Sequence, residues 1–174
     1  PRDWSSDVCS SDLPLPVVAQ AVHLARKHGV RVILNPAPAQ PLPADLLARV
    51  DDLVPNQTEL VLLAGNSDSQ DAAVAILQEQ FLGRLVLTQG SDGVLVVEGD
   101  RQSHFPAFHV QAVDTVAAGD AFIGAYAVAL NEGQTVENAV RWGCAGGAIA
   151  VTRPGAQPSL PTRAELLAFL AAHG

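Results

Sequence analysis

A chain of 174 residues with 48% apolar content is the size of one domain and can bury a real core, which excludes a disordered or fibrous protein. Its formal net charge of -8 argues against a broad electrostatic footprint for DNA, RNA or an anionic membrane, so a phosphate site must rely on local backbone dipoles. No apolar run is long enough to span a bilayer and no basic segment leads into an apolar one at the start, which together read as a cytoplasmic protein.

Residues 1–13 differ from everything after them: they repeat Ser-Ser-Asp, hold one of the two tryptophans and follow neither a helical nor a strand period. They resemble translated sequencing-adapter read-through, and the expected folded unit is residues 14–174. From Pro16 to His28 the apolar residues Val17, Ala21, Leu24 and Ala25 share one helical face. Val30 to Leu34 is a β-branched strand of the kind buried on both faces in a parallel sheet, and it ends in the proline-punctuated loop Asn35-Pro-Ala-Pro-Ala39. A helix over Leu42 to Val50, a strand over Asp52 to Val54 and a helix over Glu59 to Leu63 follow. Ser69 caps a helix from Gln70 to Phe81. Strands at Leu85 to Thr88 and Val94 to Val97 flank a glycine-rich turn, and Phe108 to Val113 is a further strand. Helices over Ala118 to Leu130, Val136 to Val151 and Arg163 to Ala172 complete the chain. The alternation predicts an α/β fold whose mostly parallel sheet is covered on both faces, with ligands beyond the carboxyl ends of the strands.

The stretch Val113-Asp114-Thr115-Val116-Ala117-Ala118-Gly119-Asp120 passes from a strand into an apolar helix. Small residues at 117–119 let a ligand approach the backbone, and amides opening a helix point free donors at it, which makes an anion site. Asp120 in the first helical turn complements the helix dipole if it stands alone. Beside an anion hole, the same carboxylate can orient a hydroxyl and take its proton, as phosphoryl transfer to an alcohol requires. Asn56 and Glu59 have the spacing of a capping box, and spacing alone favours that cap. Thr88-Gln89-Gly90-Ser91-Asp92-Gly93 reads alone as a tight connection between strands, and Ala150 to Ser159 reads alone as a loop before the last helix. The two cysteines, Cys9 and Cys144, lie far apart, and the histidines at 23, 28, 104, 109 and 173 lack ligand spacing.

Asp114 to Asp120 resembles the signature of the ribokinase, or PfkB-type, family of carbohydrate kinases. Four further blocks resemble that family in the same order: Asn35 to Ala39, Pro55 to Glu59, Thr88 to Gly93 and Ala150 to Ser159. The resemblance implies a three-layer α/β/α ribokinase-like fold of which the N-terminal half, with its sugar-binding residues and lid, is missing here. It implies ATP-dependent phosphorylation of the primary hydroxyl of a pentose, with ribose giving ribose 5-phosphate and with fructose, nucleoside or deoxyribose kinases, or a non-catalytic nucleotide-binding module, as alternatives. Asp120 becomes the base that also meets the sugar, and the amides of Ala117, Ala118 and Gly119 surround the γ-phosphate. Asn56, Thr88, Gln89, Gly90, Ser91, Asp92, Gly93 and Cys144 line the nucleotide, with Cys144 standing where some relatives carry histidine. Glu59 helps to organise Mg2+, and K+ is held by Asp114, Val116, Ala150, Arg153, Gly155 and Ser159. A homodimer is implied at full length. An NAD-binding Rossmann domain is disfavoured, because no Gly-x-Gly-x-x-Gly follows the first strand.

Overall fold

A computed structural model describes residues 13–174, so the opening segment, apart from Leu13, and Cys9 lie outside the described residues. The chain divides into two compact units, one formed by residues up to Gln89 with Leu95–Ser103 and the other by Gly90–Val94 with His104–Gly174.

The first unit alternates helix and strand: α1 (Leu15–Lys27), β1 (Ile33–Leu34), α2 (Ala44–Leu47), β2 (Asp52–Leu53), α3 (Gln57–Leu63), α4 (Gln70–Gln80) and β3 (Arg84–Thr88). The sheet runs in the order β1-β2-β3-β4-β5, where β4 is Val94–Glu98 and β5 is Arg101–Phe105. β1 and β2 are parallel, as are β2 and β3, with Ile33 opposite Asp52 and Asp52 opposite Arg84. The connections to β4 and β5 are too short for a parallel crossover and add antiparallel strands at that side. Leu53, Leu60 and Leu87 are wholly buried, and the core around them takes Val22 from α1, Leu46 and Leu47 from α2, and Val74 and Leu77 from α4. Ser69 accepts the Ala72 N–H at 3.2 Å and starts α4 where its cap was expected.

Three expected elements change. The strand expected at Val30 shrinks to Ile33–Leu34, because the Val32 N–H donates to the Asp51 carboxylate at 2.7 Å instead of to a neighbouring strand, and Val30 is exposed. The helix expected from Leu42 begins at Ala44, since Pro43 disfavours helical geometry in the residue before it. The strand expected at Phe108 to Val113 is absent, and the strand in that region is Arg101–Phe105 instead. Its Arg-Gln-Ser-His composition is that of an exposed edge and carries little apolar signal, and Pro106, which lacks an N–H, ends it. Phe108 spends its apolar surface elsewhere, edge-on to Phe169 at 5.2 Å and under the Arg141 guanidinium at 5.8 Å.

At the amino ends of the parallel strands, Asp52 is fully buried with its Oδ1 2.6 Å from Arg84 Nη1, and Arg84 Nη2 reaches Glu98 at 2.7 Å. Arg26 meets the neighbouring Asp51 at 2.8 Å, and Arg31 lies 3.6 Å from Asp52. A buried carboxylate needs such partners, because desolvation otherwise disfavours its charged form.

The second unit holds α5 (Ala118–Asn131), α6 (Val136–Val151) and α7 (Arg163–Ala172). Thr135 caps α6 through the Asn138 N–H, and Thr162 and Glu165 form a capping box on α7. α5 and α6 pack through small residues. A Cβ at Gly146 would lie 2.7 Å from the Ala121 carbonyl oxygen, and one at Gly143 would lie 2.6 Å from the Phe122 ring. Tyr126, Ala129, Ala139, Val140 and Ala145 are wholly buried in this unit.

Candidate active site

The turn before α5 is built around Ala117, the N-cap residue, which takes left-handed geometry at φ 63° and ψ 7°. Such geometry costs a residue with a Cβ about 1–2 kcal/mol, so the surrounding turn must hold it in place. The Ala118 N–H donates a long bond of 3.3 Å to the Thr115 carbonyl, and the Ala121 N–H closes the first helical bond to Ala117 at 2.9 Å. Among the described residues, the N–H groups of Ala117, Gly119 and Asp120 have no hydrogen-bond acceptor. Of the three amides expected to face an anion, those of Ala117 and Gly119 are free donors and that of Ala118 is partly engaged, while Asp120 adds a further free amide. The Asp120 side chain is exposed and, among the described residues, makes neither a hydrogen bond nor an ion pair.

Asp114 ties this turn to the loop after α6. Its Oδ1 accepts the Val116 N–H at 3.0 Å and its Oδ2 accepts the Gly155 N–H at 2.9 Å. The Val116 N–H first, and then that of Gly155, hold the Asp114 carboxyl below the usual carboxylate range. Gly155 takes φ 86°, a left-handed geometry that suits glycine. The Val113 N–H also donates to the Val151 carbonyl at 2.7 Å. From the same loop, Arg153 reaches Glu165 at 2.6 Å, so the α7 cap anchors it at a second point. Arg153 and the Thr162 backbone N–H together pull the Glu165 carboxyl down to about 2.

In the first unit, the expected nucleotide residues gather where parallel strands end. Asn56 and Thr88 form an isolated parallel bridge, and the Thr88 N–H donates to the Pro55 carbonyl at 3.0 Å. Asn35, past the end of β1, donates its amide to the Val54 carbonyl at 2.8 Å. Asn56 and Glu59 form the capping box: the Glu59 N–H donates to Asn56 Oδ1 at 2.9 Å, and the Asn56 N–H donates to Glu59 Oε2 at 2.8 Å. Burial pushes the Glu59 carboxyl up, against the lowering effect of the Asn56 N–H. In the second unit, Gly90–Asp92 forms a short 3-10 turn, and Gly93 follows at φ 100°. Any Cβ at 93 would collide with the Phe105 carbonyl oxygen, so glycine is required there twice over.

The pfkB carbohydrate kinase family model matches residues 3–163. The chain belongs to that family. It is 42% identical over 163 residues to the ribokinase of Haemophilus influenzae, covering 91% of this chain and 53% of that protein. It is 39% identical over 160 residues to the deoxyribokinase of Salmonella typhi, covering 89% of this chain and 52% of that one. The structure of Arabidopsis thaliana ribokinase complexed with ribose and ATP matches with a TM-score of 0.85 at 32% identity, over 92% of this chain and 54% of that one. The fold is thus the ribokinase-like α/β fold, and the chain spans about half the length of the relatives it matches.

The family implies a monovalent cation, and the donors of the second unit fit one in part. The Asp114 carboxylate is held in its ionised form, and the carbonyls of Val116, Arg153 and Gly155 accept no hydrogen bond among the described residues. These are hard oxygens of the kind an alkali ion takes. The Ala150 carbonyl already accepts from Thr152 and Arg153, and the buried Ser159 hydroxyl donates to the Ala156 carbonyl at 2.7 Å, so these two are engaged within the loop. For magnesium, the capping box occupies one Glu59 oxygen, and no group of three or more His, Cys, Asp or Glu side chains comes together among the described residues. A hydrated magnesium ion would have the other Glu59 oxygen left to meet its water. Cys144 is a partly buried core thiol whose burial pushes it up to about 11, an unreactive state. Sequence reasoning missed Gly143 and Gly146, although their helical spacing opposite an apolar helix was a signal for close packing.

Proposed function

We propose that this chain is the ATP-binding, catalytic portion of a sugar kinase that moves the γ-phosphoryl group of ATP to the primary hydroxyl of D-ribose, giving ribose 5-phosphate and ADP. The observation that carries the reading is the turn before α5, where amides without acceptors stand beside an exposed carboxylate. In this reading the amides of Ala117, Gly119 and Asp120 stabilise charge on the moving phosphoryl group, and being fixed they need no reorganisation as it moves. Asp120 accepts the hydroxyl proton as the sugar oxygen bonds to the γ-phosphorus and the bond from phosphorus to the β–γ bridging oxygen breaks. Asn56 and Thr88, with the loop Gln89 to Gly93, contact the nucleotide. Glu59 would hold magnesium through water, supplying charge neutralisation for the phosphates. Asp114 with the 153–155 loop would hold a monovalent ion that stiffens the turn.

The 39% identity to a deoxyribokinase supports 2-deoxyribose as a second acceptor. Steady-state assays with both sugars on a chain extended to its relatives' length separate the two readings. In that protein, Asp120→Asn leaves the backbone donors in place and removes the base. Turnover should fall about a hundredfold to ten-thousandfold with ATP affinity nearly unchanged. Turnover near normal for both sugars would remove Asp120 from the mechanism.

A further inference from the structure

The first unit contains a side-chain cluster in which the proposed chemistry uses Gln89 and gives Gln70 no role. Gln70, the first residue of α4, presents its Oε1 to two donors: Gln57 Nε2 at 3.2 Å and Gln89 Nε2 at 3.1 Å. Gln57 directly follows Asn56 and opens α3, whereas Gln89 directly follows Thr88 at the end of β3. One carbonyl oxygen thus bridges the two segments in this unit that carry the proposed nucleotide contacts. The arrangement has a single polarity. Turning over the Gln70 amide would set its nitrogen against two donor nitrogens, and turning over Gln89 would set oxygen against oxygen. Gln89 holds its orientation even though its own Oε1 is buried with no partner among the described residues, so the bond from its nitrogen to Gln70 decides where the side chain points.

We infer that Gln70 is a positioning residue for nucleotide binding, its side-chain oxygen holding Gln57 and Gln89 so that the Asn56 cap and the Thr88-Gln89 segment stand in fixed register before ATP arrives. The inference rests on the ATP-site reading of Asn56 and Thr88. Gln70 does not touch the nucleotide. It reduces the ordering that this segment must undergo on binding, and preorganisation of this kind shows itself in affinity.

Because the role needs only an acceptor, two substitutions of similar length separate it from general packing. Gln70→Met keeps the volume and removes the acceptor. Gln70→Glu keeps an acceptor with no donor and can serve both neighbouring amides. The test is ATP binding by the chain in magnesium buffer, measured by titration calorimetry, with the melting temperature of each variant recorded alongside. Gln70→Met should weaken ATP binding about fivefold, the loss of roughly one net hydrogen bond, while Gln70→Glu stays within about twofold of the unaltered chain. The side-chain amide proton signals of Gln57 and Gln89 should move toward those of free amides in Gln70→Met only. ATP binding by the unaltered chain that Gln70→Met leaves within twofold overturns the inference alone, as does equal weakening by both variants. Failure of the unaltered chain to bind ATP overturns the nucleotide reading and this inference with it.

Discussion

The same chemical change at two glycines should move stability in opposite directions. Gly124 and Gly146 both lie inside helices, α5 and α6, and replacing a mid-helix glycine with alanine removes a backbone-entropy penalty of about 1 kcal/mol. At Gly124 the added methyl meets nothing within 4 Å, so that gain is kept whole. At Gly146 the methyl would sit 2.7 Å from the Ala121 carbonyl oxygen and 3.1 Å from the Ala125 Cβ. The first of these is backbone in the opening turn of α5, and it can retreat only if that helix moves. Overpacking of this kind costs about 1–3 kcal/mol, leaving Gly146→Ala destabilised by up to about 2 kcal/mol after the propensity gain. For a chain of this length that corresponds to a melting temperature about 2–4 °C higher for Gly124→Ala and lower by up to roughly 8 °C for Gly146→Ala. Circular dichroism melts of the two variants beside the unaltered chain measure both. A Gly146→Ala chain as stable as Gly124→Ala would refute the close α5–α6 contact.

Ala117→Gly relieves a left-handed geometry that disfavours a Cβ, so thermal melts should show a gain of about 0.5–1 kcal/mol, and Ala117→Val a loss. Glu59→Gln, in a chain extended to the length of its relatives, should raise the magnesium concentration needed for half-maximal activity more than it lowers the melting temperature. A purely capping Glu59 would give the reverse, a loss of roughly 1 kcal/mol with unchanged magnesium dependence. Glu165 has its carboxyl pulled down to about 2 from the usual 4.5, so its bonds to Arg153 and Thr162 stabilise the folded chain above pH 4.5 and are lost as pH falls toward 2. The difference in melting temperature between the unaltered chain and Glu165→Gln should therefore be full at neutral pH and vanish near pH 2.

Elements whose boundaries are set by neighbours in sequence were legible. Ser69 before α4 and the apolar run of α5 and α6 could be read directly, because caps and helical periods are local. β1 and β5 were not legible in the same way. The Val32 amide is claimed by the side chain of Asp51, nineteen residues away, and β5 pairs at an edge where polar side chains suffice. The site divides along the same line. Small residues before an apolar helix announced the turn that opens α5, and a spacing of three announced the Asn56–Glu59 cap, which the structure displays. The left-handed Ala117, and the Asp114 carboxylate bonded to Gly155 across forty-one residues, depend on tertiary contacts that no local pattern encodes.

At the starts of β1 to β3, arginines 26, 31 and 84 are drawn to Asp51, Asp52 and Glu98. At or just past the far ends of the same three strands stand Asn35, Asn56 and Thr88, all neutral. A phosphate bound there, on the nucleotide reading proposed above, would meet amide and hydroxyl dipoles of fixed direction and no mobile cationic side chain on these three positions. Recognition by such dipoles falls off steeply with distance and angle, whereas a lysine follows its counter-ion about. On the same reading, the strand ends would discriminate between anions of equal charge by the directions in which their oxygens point.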